Sequence, residues 1–149
     1  MIYWFTGQPG HGKTILGKML KEYMVVNHPF KNVIHIDGDQ LRDIFQNKNY
    51  SREGREQNIK RAQDIARFLD FQGYDVIVSL VAPYRELREE FKKMNNVSEI
   101  YVHTSELRGR EQNHVEDYEE PLDNFIDIDT TETEPMSSLV QIINELKLL

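Results

Sequence analysis

The chain has 149 residues, no cysteine, 39% hydrophobic and 29% charged residues, and a formal net charge of −7. That length suits one domain with a buried core, and the balance of apolar and charged residues excludes a disordered chain. Disulfides and zinc–thiolate sites are excluded, wholesale binding of nucleic acid is disfavoured by the acidic balance, and no apolar run approaches the roughly 20 residues of a membrane span.

The first candidate strand, 2–6, begins one residue after Met1, which leaves no room for a signal or transit peptide and suits a cytoplasmic protein. Gly7-Gln8-Pro9-Gly10-His11-Gly12-Lys13-Thr14 follows it and fits G-x-x-x-x-G-K-[ST], a phosphate-binding loop. Glycines let such a loop turn its N–H groups toward phosphate oxygens, and the next helix adds partial positive charge beneath them. That helix spans 15–26 and carries Ile15, Leu16, Met19, Leu20 and Tyr23 at helical spacing.

A second strand, 33–36, runs into Asp37-Gly38-Asp39. Segment 51–72 reads as a helix capped by Ser51, with Ile59, Ala62, Ile65, Ala66 and Leu69 as its inward stripe. Arg55 and Asn58 fall on the same stripe one turn earlier, whereas Lys60 points away. Strand 75–81 is nearly continuous in apolar residues, as expected for a strand covered on both faces. Pro83 suits the first turn of a helix over 83–94, with Tyr84, Leu87, Phe91 and Met94 on one side. Strand 99–103 leads into 104–124, a polar excursion with weak periodicity. A last strand, 125–128, precedes a helix from Pro135 that carries Leu139, Ile142, Ile143 and Leu146. This alternation predicts an α/β fold of the P-loop NTPase type: three layers, with a mainly parallel five-stranded sheet and helices on both faces.

Ligands of such sheets sit at the carboxyl ends of the strands. Lys13 is placed to reach β/γ-phosphates, and Thr14 offers a hydroxyl to Mg²⁺. Asp39 is the candidate base and Asp37 a metal-water or substrate ligand; a cap by Asp39 on a helix over 40–45 is compatible with that role. A polar pair on an inward face is costly unless it meets a ligand, so Arg55 and Asn58 are candidates for an anionic substrate, with Arg42 facing the same space. Arg85 would reach a phosphate or brace the loop. Arg108 and Arg110 suit a segment that closes over transferring phosphates, or a solvated charge run. The nine acidic residues of 116–134 suggest a wet surface rather than a metal cage, and His35 and His103 read as core-edge residues.

Taken together these residues resemble the adenylylsulfate kinase (APS kinase) family. Asp37-Gly38-Asp39-Gln40-Leu41-Arg42 is similar to its DGDxxR segment, and Tyr50-Ser51 through Arg55, Asn58, Ile59 and Arg61 to FSxxDRxENIRR. Ala82-Pro83-Tyr84-Arg85 resembles SPYR, Asp117-Tyr118-Glu119-Glu120-Pro121 resembles YEPP, and Ile128-Asp129-Thr130 resembles the terminal LDT strand. The resemblance implies transfer of the γ-phosphate of ATP to the 3′-hydroxyl of adenylylsulfate, with Mg²⁺, usually in a homodimer. It implies that Lys13 and Thr14 hold ATP and magnesium, that Asp39 is base or metal-water ligand, and that Arg108 contacts ATP. Arg42, Tyr50, Arg55 and Asn58, with Pro83 beside them, would hold adenylylsulfate.

The chain also departs from that pattern. Arg108-Gly109-Arg110-Glu111 passes almost directly to Tyr118, so the family's lid is truncated and its substrate-contacting lysine and aromatic residue have no clear counterpart. Ala82 stands where many members carry a serine, so no phospho-enzyme forms there. A kinase for another small hydroxyl acceptor (nucleoside, sugar or polynucleotide end) and a nucleotide-binding module without turnover remain alternatives. The truncated lid favours the former and the two aspartates weigh against the latter. A GTP switch does not fit, because Asn47-Lys48-Asn49-Tyr50 lacks the guanine-reading aspartate.

Overall fold

The computed structural model describes residues 1–109 and 111–149, the side chain of Gln112 excepted. Five parallel strands form one sheet in the order β2-β3-β1-β4-β5: β1 Ile2–Thr6, β2 Val33–Asp37, β3 Asp75–Ser79, β4 Val97–His103 and β5 Ile126–Asp129. Every residue of β1 is buried, and its period-2 alternation divides the core. Tyr3 and Phe5 join Leu16, Leu20 and Met24 of α1 (Lys13–Asn27) and Leu139, Ile142 and Ile143 of α5 (Pro135–Leu146). Ile2 and Trp4 face the other way, toward Leu41 of α2 (Gly38–Phe45) and Ile59, Ala62 and Ala66 of α3 (Arg52–Phe71). On that side Leu87 and Phe91 of α4 (Arg85–Met94) also pack. The expected three-layer α/β architecture is therefore present, with helices on both faces of an all-parallel sheet. Among the described residues, no helix is long and apolar enough to cross a membrane.

Several boundaries differ from expectation. β3 ends at Ser79 rather than running to 81, although Leu80 N–H still donates to the Phe5 carbonyl of β1 at 3.1 Å. Pro83 does not start α4. Ala82 takes a left-handed φ of 43°, Tyr84 stays extended as N-cap, and the helix begins at Arg85. Met94 does not join Leu87 and Phe91 in the core; it ends α4 exposed. Ile15 is exposed as well, while Met24 completes the buried stripe of α1. Ser51 caps α3 as expected, its hydroxyl accepting from Gly54 N–H.

Candidate functional site

The carboxyl ends of β1, β2 and β3 open into a cavity of about 840 Å³, within the ~300–1,000 Å³ typical of small-molecule sites. One side is the phosphate-binding loop, through Pro9, Gly10, Gly12, Lys13 and Thr14. Facing it are Asp37 and Asp39 from the β2–α2 junction, Arg42 and Tyr50, and Arg55 and Asn58 from the first turns of α3. Pro83 closes the wall beyond β3, and Arg108 with His114 and Val115 approaches from the excursion. The sequence-derived candidates thus converge on one space, apart from three loop members, Arg85, and Arg110, which lies outside the described residues.

Those three, Gly7, Gln8 and His11, do not line the cavity. A Cβ on Gly7 would lie 2.1 Å from the Val102 carbonyl oxygen, and its φ is 150°, so glycine is required for β1 to leave the sheet beside β4. The Gln8 side chain reaches the excursion instead. Its Nε2 donates to the Val115 carbonyl at 2.7 Å, and its Oε1 accepts from Val115 N–H at 2.8 Å. The His11 ring meets His114 edge-on at 5.1 Å. Burial first, then the neighbouring His114, Lys13 and Arg108, push the His11 imidazole down to about 4.

Lys13 begins α1 and is buried, with Nζ donating to the Gln8 carbonyl at 2.8 Å. That bond spans the loop as a phosphate-embracing cup requires. Thr14 Oγ1 donates to Asp37 Oδ1 at 2.9 Å. The helix cap expected of Asp39 falls to Asp37: its Oδ2 accepts from Gln40 N–H at 3.2 Å, because α2 starts two residues earlier than expected, at Gly38. Asp39 lies exposed in the first turn of α2 and faces the cavity.

Arg42 is held before any ligand arrives. Its Nη1 donates to the carbonyls of Asn47 and Asn49, both at 3.1 Å, and its guanidinium lies 4.1 Å from the Tyr50 ring centroid. Burial pulls its pKa below the usual arginine range. Asn58 is 3% exposed, and its Oδ1 has no hydrogen-bond partner, while its Nδ2 reaches only the Gly38 carbonyl at 3.5 Å. A buried amide oxygen without a partner is an expensive arrangement unless something donates to it.

The excursion contains one short 3-10 turn, Glu111–Asn113, and is tied down rather than free. Arg108 donates to the carbonyls of Thr130, at 2.9 Å, and of the loop residue His11, at 3.5 Å. Arg110 lies outside the described residues. Arg85 does not turn to the phosphate loop; its Nε donates to the Glu120 carbonyl at 2.7 Å and braces the far end of the excursion. His35 sits behind the loop, its Nε2 2.8 Å from Ser79 Oγ, which donates to the Lys13 carbonyl at 3.1 Å. His103 pairs with Asp127 on the outer strands at 2.9 Å.

Arg88 escaped the sequence reading. It is 3% exposed inside α4 and pairs with Glu99 of β4 at 2.9 Å. The signal was Glu99, a carboxylate in the middle of a strand, which demands a buried cation. Tyr118, named in the sequence only as part of the YEPP-like segment, has its hydroxyl 2.8 Å from Thr6 Oγ1, at the end of β1.

A strand that delivers a glycine-rich loop to the start of a helix, with a lysine, a hydroxyl and a carboxylate around one cavity, defines a P-loop kinase. A family profile described as adenylylsulphate kinase matches residues 1–141. The chain belongs to that family, whose members are phosphotransferases acting on a hydroxyl acceptor. It is 35% identical over 145 residues to the cytidine diphosphoramidate kinase of Campylobacter jejuni, covering 93% of this chain and 84% of that protein. It is 29% identical over 170 aligned positions to the adenylyl-sulfate kinase of Oceanobacillus iheyensis, covering 98% and 83%. It spans about half the length of several further adenylyl-sulfate kinases that it matches. The structure of an APS kinase from Mycobacterium tuberculosis in complex with AMPPNP and APS superposes with a TM-score of 0.81 at 21% identity, over 98% of this chain and 96% of that one. That last likeness concerns the fold.

Proposed function

We propose that this chain transfers the γ-phosphate of ATP directly to the 3′-hydroxyl of a nucleotide whose 5′-phosphate carries a second anionic group in anhydride linkage, with adenylylsulfate as the acceptor. The observation that carries this reading is the buried, unpartnered amide oxygen of Asn58, a residue that lines one cavity together with Arg55, Lys13 and Thr14. A donor and an acceptor nucleotide would meet there end to end. Lys13 and the loop amides hold the β/γ-phosphates, and Arg108 approaches from above. Arg55 and Arg42 neutralise the acceptor's anionic end, Asn58 accepts from one of its hydroxyls or amines, and Tyr50 and Pro83 offer it flat apolar surfaces. Asp39 takes the proton of the attacking hydroxyl. Positioning and charge neutralisation supply most of the rate.

The residues present fit Mg²⁺. Thr14 and Asp37, joined at 2.9 Å, and Asp39 are hard oxygen donors beside the loop. When bound, the ion would be held by Thr14 and, through water, by Asp39, and would supply charge neutralisation on the phosphates. Asp37 orients the Thr14 hydroxyl. A homodimer, as the family resemblance implies, is part of the same reading and is checked by light scattering.

A second reading, cytidine diphosphoramidate as acceptor, is favoured by one observation. The Campylobacter kinase aligns in 145 positions, whereas the Oceanobacillus enzyme needs 170 for a chain of 149 residues. The shorter alignment has less room for an inserted lid. The test offers labelled ATP with adenylylsulfate, cytidine diphosphoramidate, a nucleoside, a sugar and a polynucleotide end in parallel. Preferred turnover of adenylylsulfate supports the first reading. ATP binding with no product from any acceptor overturns both.

A further inference from the structure

Arg88 is the most deeply buried cation of the described residues that the transfer chemistry leaves unused. Its Nε donates to Glu99 Oε2 at 2.9 Å, and Glu99 Oε1 also accepts from Lys92 Nζ at 2.8 Å. The two outer nitrogens leave this ion pair. Nη1 donates to the Ala82 carbonyl, and Nη2 donates to the Glu119 carbonyl.

Those carbonyls belong to separate parts of the site. Ala82 lies in the wall Val81–Pro83 that closes the cavity beyond β3, and it is held at a left-handed φ of 43°. A non-glycine residue keeps that conformation only when its surroundings enforce it. Glu119 is the root of the excursion, whose other end covers the phosphate loop through Arg108 and Val115. The two parts also meet directly, with Glu119 N–H donating to the Pro83 carbonyl at 2.9 Å. A parallel tie runs from Tyr118 through Thr6 Oγ1, which donates to the Val81 carbonyl at 2.7 Å.

An apolar side chain would fill the Arg88 site without the desolvation cost of an ion pair. What only a guanidinium supplies is a planar fork that reaches three acceptors at fixed angles. We propose that Arg88 is a positioning residue for phosphoryl transfer: it locks the wall Val81–Pro83 and the excursion root at Glu119 into one rigid relation, so that acceptor and donor phosphate meet at reacting distance. The proposal rests on the cavity beyond β3 being the acceptor site. A shift of about 1 Å in such a wall lowers turnover on the order of 100-fold.

Two variants of the full chain test it: Arg88→Lys, which keeps the charge beside Glu99 and loses the fork, and Lys92→Met, which disturbs the same ion cluster without touching either carbonyl. Wild-type turnover is measured first, so the absence of product from any acceptor is recognised as a failure of the acceptor reading. The expected result is that Arg88→Lys lowers kcat/KM for the acceptor at least tenfold, with the Kd for ATP within about twofold of wild type. Lys92→Met loses thermal stability but keeps kcat and acceptor KM. Unchanged acceptor kcat/KM in Arg88→Lys overturns the proposal, as do equal losses of ATP and acceptor binding or activity losses in both variants that follow stability. If Arg88→Lys does not fold, Tyr118→Phe cuts only the parallel tie to Thr6. A selective fall in acceptor kcat/KM then supports the coupling, and unchanged kinetics overturn it.

Discussion

The Thr14 hydroxyl donates to the Asp37 carboxylate at 2.9 Å, joining the end of β2 to the start of α1. The other Asp37 oxygen caps α2. Substitution separates these roles. Asp37→Asn keeps a capping oxygen, so the melting temperature stays near wild type while turnover falls at least tenfold through loss of charge beside Thr14. Asp37→Ala loses both, and denaturant unfolding should show an added cost of about 1 kcal/mol. Equal stability loss in the two variants would show that the cap matters less than the charge.

Lys13→Ala abolishes ATP-dependent transfer. Lys13 is buried at the first position of α1, and its ammonium spans the loop to the Gln8 carbonyl at 2.8 Å, where β/γ-phosphates would lie. Transfer of labelled phosphate is the readout. Near-normal turnover in this variant would refute the loop assignment.

Arg55→Ala raises acceptor KM far more than the Kd for ATP. Arg55 stands with Asn58 on the wall opposite the loop, and loss of a charge-assisted contact there costs about 2 kcal/mol, some 30-fold. Calorimetric titration with each nucleotide measures the two effects separately, and equal weakening counts against an acceptor role.

Acid stability depends on His11. Its folded pKa, about 4, lies below the ordinary 6.5, so between those values the unfolded chain binds a proton that the folded chain refuses. Stability is whole above pH 6.5 and declines as pH falls through that window. His35, also lowered by burial, acts in the same direction. Urea midpoints from pH 7 to pH 4 should fall less steeply in His11→Ala than in wild type. Parallel curves would remove His11 as a cause.

The fold was legible where apolar periodicity was long: the strand at 2–6, the alanine-rich stripe of α3 and the C-terminal helix all stand as their patterns indicate. The convergence of Lys13, Asp37, Arg55 and Asn58 was legible too, because strand ends of a parallel sheet share one edge. What escaped depended on distant partners. Arg88 lies among the glutamates of α4 and reads as solvated, until Glu99 is seen to require it. Pro83 suits a first helical turn locally, yet the hydrogen bonds to Ala82 and Glu119 hold 82–84 outside the helix. The side chain of Gln8 has its partner 107 residues away, a distance no local pattern reports.

That glutamine has a kinetic consequence. Its amide faces Val115 as a neighbouring strand would present its own peptide group, with one donor and one acceptor. Such a two-point clip contributes only about 1 kcal/mol per bond. Opening this corner would need the clip and the Arg108 bonds to the His11 and Thr130 carbonyls to release together, an event of the microsecond-to-second class of lid motions, while the sheet beneath keeps its own bonds.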